Sequence, residues 1–365
     1  MSDIPKKSKA AVLVEYGRPF VILELPIPEV EPRGILVKVE MAGICGTDVH
    51  QWSGALVRKA PLPLVPGHEA VGRIVKLGEG RTHDCAGAPL SIGDRIMWAH
   101  VTCGECFACA ILHNPMACGN RFLYGYNYSL TGAFAEYEYV VPNAKVVKVP
   151  AELTNEEVVG VCCAFRTVVG AFERLAGIGT QSYVVVQGSG PVGLYSVLLS
   201  DISGAGKTIA IGAPALRLDL AKKFGADHVI NIEEMPDPAR RNAEVLGLTE
   251  GRGPDLVVEA SGVPVAFAEG LGLVRRGGRY LVIGQTSGEA TITITPATIV
   301  LKHLEIIGQA SAEISHYYRA LQIIRNNRHK YPLGDIVTRK YRLEQINDAF
   351  ASMQAGRDIK PALVP

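Results

Sequence analysis

The chain has 365 residues, a length that suits about two domains, each able to bury its own core. Near-equal numbers of basic and acidic side chains (37 and 36, net +1) and 48% hydrophobic residues exclude a long nucleic-acid footprint, an anionic-membrane binder and a disordered chain. No apolar run reaches the ~18 residues of a membrane span, and MSDIPKKSKA lacks a signal-peptide core, so a soluble, cytoplasmic protein is expected.

Residues 1–165 are rich in β-branched runs punctuated by Gly and Pro: AAVLVEY, GILVKVEMAG, AVGRIVKLG, GDRIMWAH and EYEYVVP. Short alternating runs with turn signals predict an all-β, barrel-like body with long loops. The pattern then changes. VVVQ, TIAIG, HVIN, LVVEA, YLVIG and LEIIGQ alternate with helical segments such as VGLYSVLLSDISGA and LRLDLAKKFGA. Such alternation predicts βαβ units and a parallel sheet, and the wholly apolar strands fit a sheet covered on both faces. From about residue 312 the chain turns polar and helical and ends in an extended DIKPALVP.

Eight cysteines stand at 45, 85, 103, 106, 109, 118, 162 and 163. A disulfide framework belongs to short, loop-rich chains, and this chain is long and apolar. Cys103, Cys106, Cys109 and Cys118 crowd into sixteen residues at metal-ligand spacing. Four thiolates would close a tetrahedral zinc with no open position, so that zinc would be structural; an iron–sulfur cluster or free thiols remain alternatives. Cys45, His68 and Cys163 form a dispersed, softer set, with Glu69 close enough to join or replace a ligand. Three protein ligands with one exchangeable position suit a catalytic zinc, although each residue taken alone is more often a core or packing group.

Gly188-Ser189-Gly190-Pro191-Val192-Gly193 lies between a predicted strand and a predicted helix. In that context the glycines let the backbone approach a pyrophosphate held at a helix N-terminus, which predicts a dinucleotide site. The following strand ends Ile211-Gly212-Ala213-Pro214, without the acid that hydrogen-bonds the ribose 2′-OH of NAD. Loss of that charge favours NADP, and Arg217 and Lys207 are near, but no Arg follows at once. The expected cofactor is NAD(P), with either form open.

GHEAVGRIVKLG, CGTDVH, GDRI, the four-cysteine lobe and QGSGPVGL occur in the order seen in zinc-dependent medium-chain alcohol dehydrogenases, which the chain resembles over nearly its whole length. The resemblance implies a GroES-like, β-rich catalytic domain (1–165, with a structural-zinc lobe at about 100–120), a Rossmann doubly wound parallel-sheet domain (166–311) and a C-terminal segment (312–365) returning to the first. It implies two zinc ions per chain: Cys45, His68 and Cys163 as catalytic ligands with Glu69 beside them, and the four-cysteine set as the structural site. Asp48 resembles the acid that orients the ligand histidine. Thr167, in the segment Cys163-x3-Thr167, and Lys360, in DIKPAL, resemble cofactor-contacting residues. Thr47, the nicotinamide ribose and His50 would form a proton relay, since an imidazole suits exchange near neutrality.

Three departures from the family pattern stand out: an eight-residue last gap in the lobe, Gly212 at the acid position, and Arg166, which could meet an anionic group. The implied activity is interconversion of a medium-sized secondary or cyclic alcohol and its carbonyl by hydride transfer with NAD(P). Trp52, Leu56, Phe122, Tyr124 and Tyr126 are candidate pocket residues. DVHQWSG is similar to dehydrogenases of cyclic alcohols such as hydroxycamphor, and CGTDVH to threonine 3-dehydrogenases; a polyol substrate is a further alternative. A zinc-free quinone reductase or a non-enzymatic protein of the same fold would have no use for the ligand set. The strand-like TITIT (291–295) resembles the family's dimerising edge and implies a homodimer or homotetramer.

Overall fold

The computed structural model describes residues 4–175, 177–284 and 291–365. They form two compact units. The first gathers residues up to Arg166 with Ser311–His329 and Leu333–Pro365, and the second is Thr167–Ala310 with Lys330–Pro332.

In the first unit, β1 (Lys7–Val12) and β2 (Val21–Pro26) pair antiparallel. Strand β3 (Ile35–Gly43) leads into helix α1 (Gly46–Ser53) and is followed by β4 (Ala70–Leu77), β5 (Arg95–Trp98), β6 (Tyr137–Val140) and β7 (Val146–Lys148). The run ILVKVEMAG is long, β-branched and almost wholly buried, so it serves as the central strand. Along one edge it pairs with β4; along the other its first half pairs with β6. Helix α2 (Asn155–Val158) precedes α3 (Ala164–Glu173), which carries the chain out of this unit.

The second unit alternates strictly. It runs β8 (Tyr183–Gln187), α4 (Pro191–Ile202), β9 (Lys207–Gly212), α5 (Ala215–Lys223), β10 (His228–Asn231), α6 (Pro238–Leu248), β11 (Leu256–Glu259), α7 (Pro264–Leu273), β12 (Arg279–Val282), α8 (Pro296–Lys302) and β13 (Glu305–Gly308). The strand order β10-β9-β8-β11-β12-β13, all parallel, reverses direction at β8 and makes this a Rossmann-type sheet. Val184, Val185 and Val186 of β8 are fully buried because helices cover both faces. The TITIT stretch forms no strand; β13 is the edge strand beyond it, with Ile306 partly exposed.

The chain then returns to the first unit through α9 (Ile314–Asn327), β14 (Arg339–Tyr341), α10 (Ile346–Gln354) and β15 (Pro361–Leu363). Strand β15 pairs antiparallel with the end of β3, which places Lys360 beside the β3–α1 junction. The core there draws Val37, Ile74, Ile96, Phe134, Phe350 and Leu363 from both ends of the sequence. Mixed α/β architecture, with a GroES-like unit and a Rossmann-like unit, is therefore the fold.

Candidate active site: two cysteine clusters and a nucleotide cavity

Cys45 is the N-cap residue of α1, with extended backbone, and Asp48 is three residues into that helix. The buried Asp48 carboxylate does two things. Its Oδ2 accepts the Cys45 backbone N–H at 2.9 Å, and its Oδ1 lies 3.0 Å from His68 Nδ1 as an ion-pair contact. The contact at Nδ1 orients the ring and leaves Nε2 facing Cys45 Sγ, 3.4 Å away. His68 and Glu69 arrive just before β4. Gly67, with φ +96°, makes the approach possible, because a Cβ there would strike the backbone of Ala133 and Phe134.

Cys163 completes the group. One donor atom from each of Cys45, His68, Glu69 and Cys163 falls within 4.8 Å of the others. The hydrogen bond from Cys163, with the charge of His68, holds the Cys45 thiol well below its usual range despite burial. A thiolate, an oriented imidazole that would give up its proton to a metal, a second sulfur and a carboxylate are the donor types zinc takes, so the residues fit the metal.

Glu69 has a partner the sequence left unassigned. Lys360 Nζ forms an ion pair with Glu69 Oε2, both side chains fully buried. Burial pushes the Glu69 carboxyl up to about 7 against the pull of Lys360. Residue 43 must be glycine here, since a Cβ would press on the Glu69 carboxylate and the Lys360 stem. Lys360, expected at a cofactor pyrophosphate, is thus placed within the first unit against a ligand-cluster carboxylate; the β3–β15 pairing, a long-range contact, sets that position.

Arg166 likewise differs from expectation. It is 2% exposed and its donors go to the protein: Nε to Cys162 O (2.6 Å), Nη1 to Ser311 Oγ (2.9 Å) and to Ala312 O (2.6 Å), with the guanidinium 4.9 Å from the Tyr317 ring. Tyr317 Oη also donates to Cys162 O at 3.1 Å. Two donors therefore clamp the carbonyl immediately before Cys163. Cys162 itself faces away from the cluster, its thiol donating to Ala70 O, and burial raises it to about 12.

Thr47 and His50 lie half-buried on α1, in the turns that follow Cys45. Of the pocket candidates, Tyr124 is a core residue: it is 1% exposed and its Oη accepts the Val141 N–H. Trp52, Phe122 and Tyr126 pack partly buried against the same core, Phe122 edge-on to the Tyr124 ring, and Leu56 is half-buried nearby in sequence. His100 was not foreseen. Its Nδ1 accepts the Tyr124 N–H at 3.1 Å and its ring lies 6.2 Å from that of His68, in a setting whose burial and neighbouring cations hold it well below the usual imidazole range. Its place three residues before Cys103 was the only available signal.

The sulfurs of Cys103, Cys106, Cys109 and Cys118 also lie within 4.8 Å of one another. The eight residues between Cys109 and Cys118 begin in the second half of a wide π-type turn (Phe107–Ile111) and continue through His113 in left-handed backbone (φ +50°) and a 3-10 turn (Pro115–Ala117). Backbone N–H donors of Cys103 and Asn120 help pull the Cys118 thiol down to about 6, toward the thiolate a zinc needs. Four sulfurs would leave a bound zinc no open position.

In the second unit, Gly188 and Gly190 follow β8 and lead into α4, whose first residues are Pro191, Val192 and Gly193. A Cβ on Gly193 would collide with Gly188 O, which seats the helix tightly on the strand; a Cβ on Gly190 would meet nothing, which leaves room for a ligand's phosphates. Gly188, Gly190, Gly212 and Arg217 line one cavity of about 460 Å³. Its position at the carboxyl ends of β8 and β9, where strand order reverses, is where this topology binds dinucleotides. Thr167 is buried on α3, at the start of the unit.

Known proteins resemble the chain throughout. Family models match it as "Alcohol dehydrogenase GroES-like domain" over residues 31–151 and "Zinc-binding dehydrogenase" over residues 191–326. It is 35% identical to 5-exo-hydroxycamphor dehydrogenase of Pseudomonas putida, with 98% of each chain covered, and 33% identical to L-threonine 3-dehydrogenase of Bacillus subtilis, with 98% and 99% covered. The crystal structure of an alcohol dehydrogenase from Thermotoga maritima superposes with a TM-score of 0.92 at 32% identity, covering 98% of this chain and 99% of that one. With its ligand clusters, its Rossmann-type unit and these relatives together, the chain belongs to the zinc-binding alcohol dehydrogenase family of oxidoreductases that interconvert alcohols and carbonyls.

Proposed function

We propose that this protein reversibly oxidises a medium-sized secondary or cyclic alcohol to its carbonyl compound with NAD(P) as hydride acceptor. The observation that carries the reading is the Cys45, His68, Glu69 and Cys163 cluster, oriented from behind by Asp48. Cys45, His68, Glu69 and Cys163 would hold a zinc whose chemistry is Lewis acidity toward an alcohol oxygen, and a bound nicotinamide would supply the hydride acceptor.

The chain's own residues do the rest. Asp48 holds His68 with Nε2 turned to the cluster. Lys360 holds Glu69 in reach of it. The carbonyl clamp made by Arg166 and Tyr317 fixes the peptide that delivers Cys163. Thr47 Oγ and the His50 imidazole pass the proton between substrate and water. Gly188, Gly190 and the α4 N-terminus with Pro191, Val192 and Gly193 take the pyrophosphate, and Gly212, Arg217 and Thr167 contribute elsewhere along the cofactor. Cys103, Cys106, Cys109 and Cys118 hold the second, structural zinc. Six of the eight cysteines stand in the two ligand clusters, which suits a reducing, cytoplasmic setting, and β13 offers an open sheet edge for a homodimer or homotetramer.

The test is a panel of cyclic, secondary and polyol alcohols and L-threonine, with the matching carbonyls, run against NAD and NADP separately. Turnover of cyclic alcohols above the others supports the reading. Preference for L-threonine would move the assignment to the amino alcohol, and full turnover after complete zinc removal would sink the metal's role.

A further inference from the structure

The adenosine end of the cofactor cavity decides which dinucleotide it takes. Where a carboxylate would normally meet the ribose 2′-OH, the chain has Gly212. The glycine is imposed by packing. A Cβ at 212 would lie 2.5 Å from Ser189 Oγ, 2.8 Å from Ser189 Cβ and 3.1 Å from Ser189 N. Ser189 is itself 4% exposed and tied down by its Oγ donating to Ala213 O at 3.0 Å, so it has nowhere to retreat. A side chain, acidic or otherwise, does not fit at the end of β9 while Ser189 is present. Nor does the next stretch supply an acid: Ala213, Pro214, Ala215 and Leu216 carry none, and Asp219 is exposed beside Lys222.

Among the described residues, the charged side chains that line the cavity are Arg217, Arg241 and Glu269. Glu269 is held bidentately by Arg241, Nε to Oε1 at 2.9 Å and Nη2 to Oε2 at 2.8 Å, while Arg241 Nη1 donates to Met235 O and Pro236 O. The acid is thereby neutralised and Arg241 is fixed in place. Arg217, half-buried near the start of α5 and five residues past Gly212, is the second arginine of this lining. Among the described residues the end of β9 offers the ribose no carboxylate, and the guanidinium of Arg217 lines the same cavity, a setting that suits an anion there.

We infer that the protein selects the 2′-phosphorylated dinucleotide, NADP(H), over NAD(H), with Ser189 excluding the ribose-binding acid and Arg217 meeting the 2′-phosphate. The inference rests on the dinucleotide reading of this cavity given above.

Binding is measured without turnover, by titrating the zinc-loaded full chain calorimetrically with 2′,5′-ADP and with 5′-AMP. The expected result is 2′,5′-ADP tighter by about tenfold or more (about 1.4 kcal/mol), an advantage that shrinks as salt is raised. Arg217→Ala should reduce the ratio of the two affinities to within about threefold, and Arg217→Lys should keep part of it. The double variant Ser189→Gly/Gly212→Asp should reverse the preference, while Gly212→Asp alone should unfold at lower temperature because Ser189 occupies the space. Equal or tighter binding of 5′-AMP by the wild-type chain overturns the inference and leaves the dinucleotide site standing. Failure of both probes to bind overturns the site and the inference together.

Discussion

Replacing Arg166 with Met keeps a stem of similar length and removes the guanidinium. Three hydrogen bonds are lost, to Cys162 O, Ser311 Oγ and Ala312 O, along with the contact over Tyr317. Cys162 O keeps its Tyr317 donor, so Ala312 O is the carbonyl left buried without this partner. Charged hydrogen bonds contribute about 1.5–3 kcal/mol each and an orphaned buried acceptor costs a similar amount, so a loss of ~4 kcal/mol is expected. At ~2–4 °C per kcal/mol for a unit of this size, the melting transition of the first unit should fall by ~8–16 °C. Loosening the peptide before Cys163 should also weaken zinc at the Cys45 cluster by ~10–100-fold. Calorimetry on the zinc-loaded chain and chelator competition read the two effects separately. Arg166→Lys, which keeps the charge but not the fork, should fall between. A Met variant that melts within ~2 °C of wild type and holds zinc equally well would refute the clamp.

Cys45→Ser should abolish alcohol-dependent NAD(P)H formation and lower bound zinc from two ions per chain to one, with the circular dichroism spectrum unchanged; metal analysis and turnover check both. Cys118→Ser should instead empty the other cluster, and limited proteolysis of the segment 104–117 should speed up by about tenfold as the lobe opens. Lys360→Met should destabilise by ~3–5 kcal/mol because it strands a buried carboxylate, and adding Glu69→Gln should recover part of that loss in denaturant titrations. Glu138 is buried with one oxygen accepting from Trp98 Nε1, and burial holds its carboxyl well above the usual range although Trp98 pulls the other way. The folded chain therefore keeps a proton that the unfolded chain releases above pH ~4.3. That contribution is complete below the unfolded value and is lost as pH rises toward the folded one, by about 1.4 kcal/mol per pH unit. Stability of wild type relative to Glu138→Gln should fall between pH 5 and 8; a difference that stays flat over that range would show that Glu138 is ionised in the fold.

Local sequence carried the ligand groups because zinc chemistry restricts residue type and spacing. The four cysteines of the lobe sit close together in the chain, and CGTDVH places Cys45 and Asp48 on one helix turn, so their meeting needed little tertiary information. The parallel sheet was equally legible, since Val184, Val185 and Val186 have to be apolar in a strand covered on both faces. Arg166 was different. Its neighbour Thr167 belongs to a stretch that suggested a ligand-facing surface, and only the return of Ser311, Ala312 and Tyr317 from 145 or more residues later turned it into a strut for Cys163.

By itself the sequence determined which chemistry the protein holds: two sets of soft donors, a glycine turn for a dinucleotide, and two classes of fold to carry them. Tertiary structure alone decided what the long-range partners do. Lys360 reaches Glu69 because β15 pairs with β3, and Gly212 is glycine because Ser189 fills the space beside it. Both facts come from packing between segments far apart in the chain, where burial, and not spacing along the sequence, sets which groups must be paired and which cannot fit.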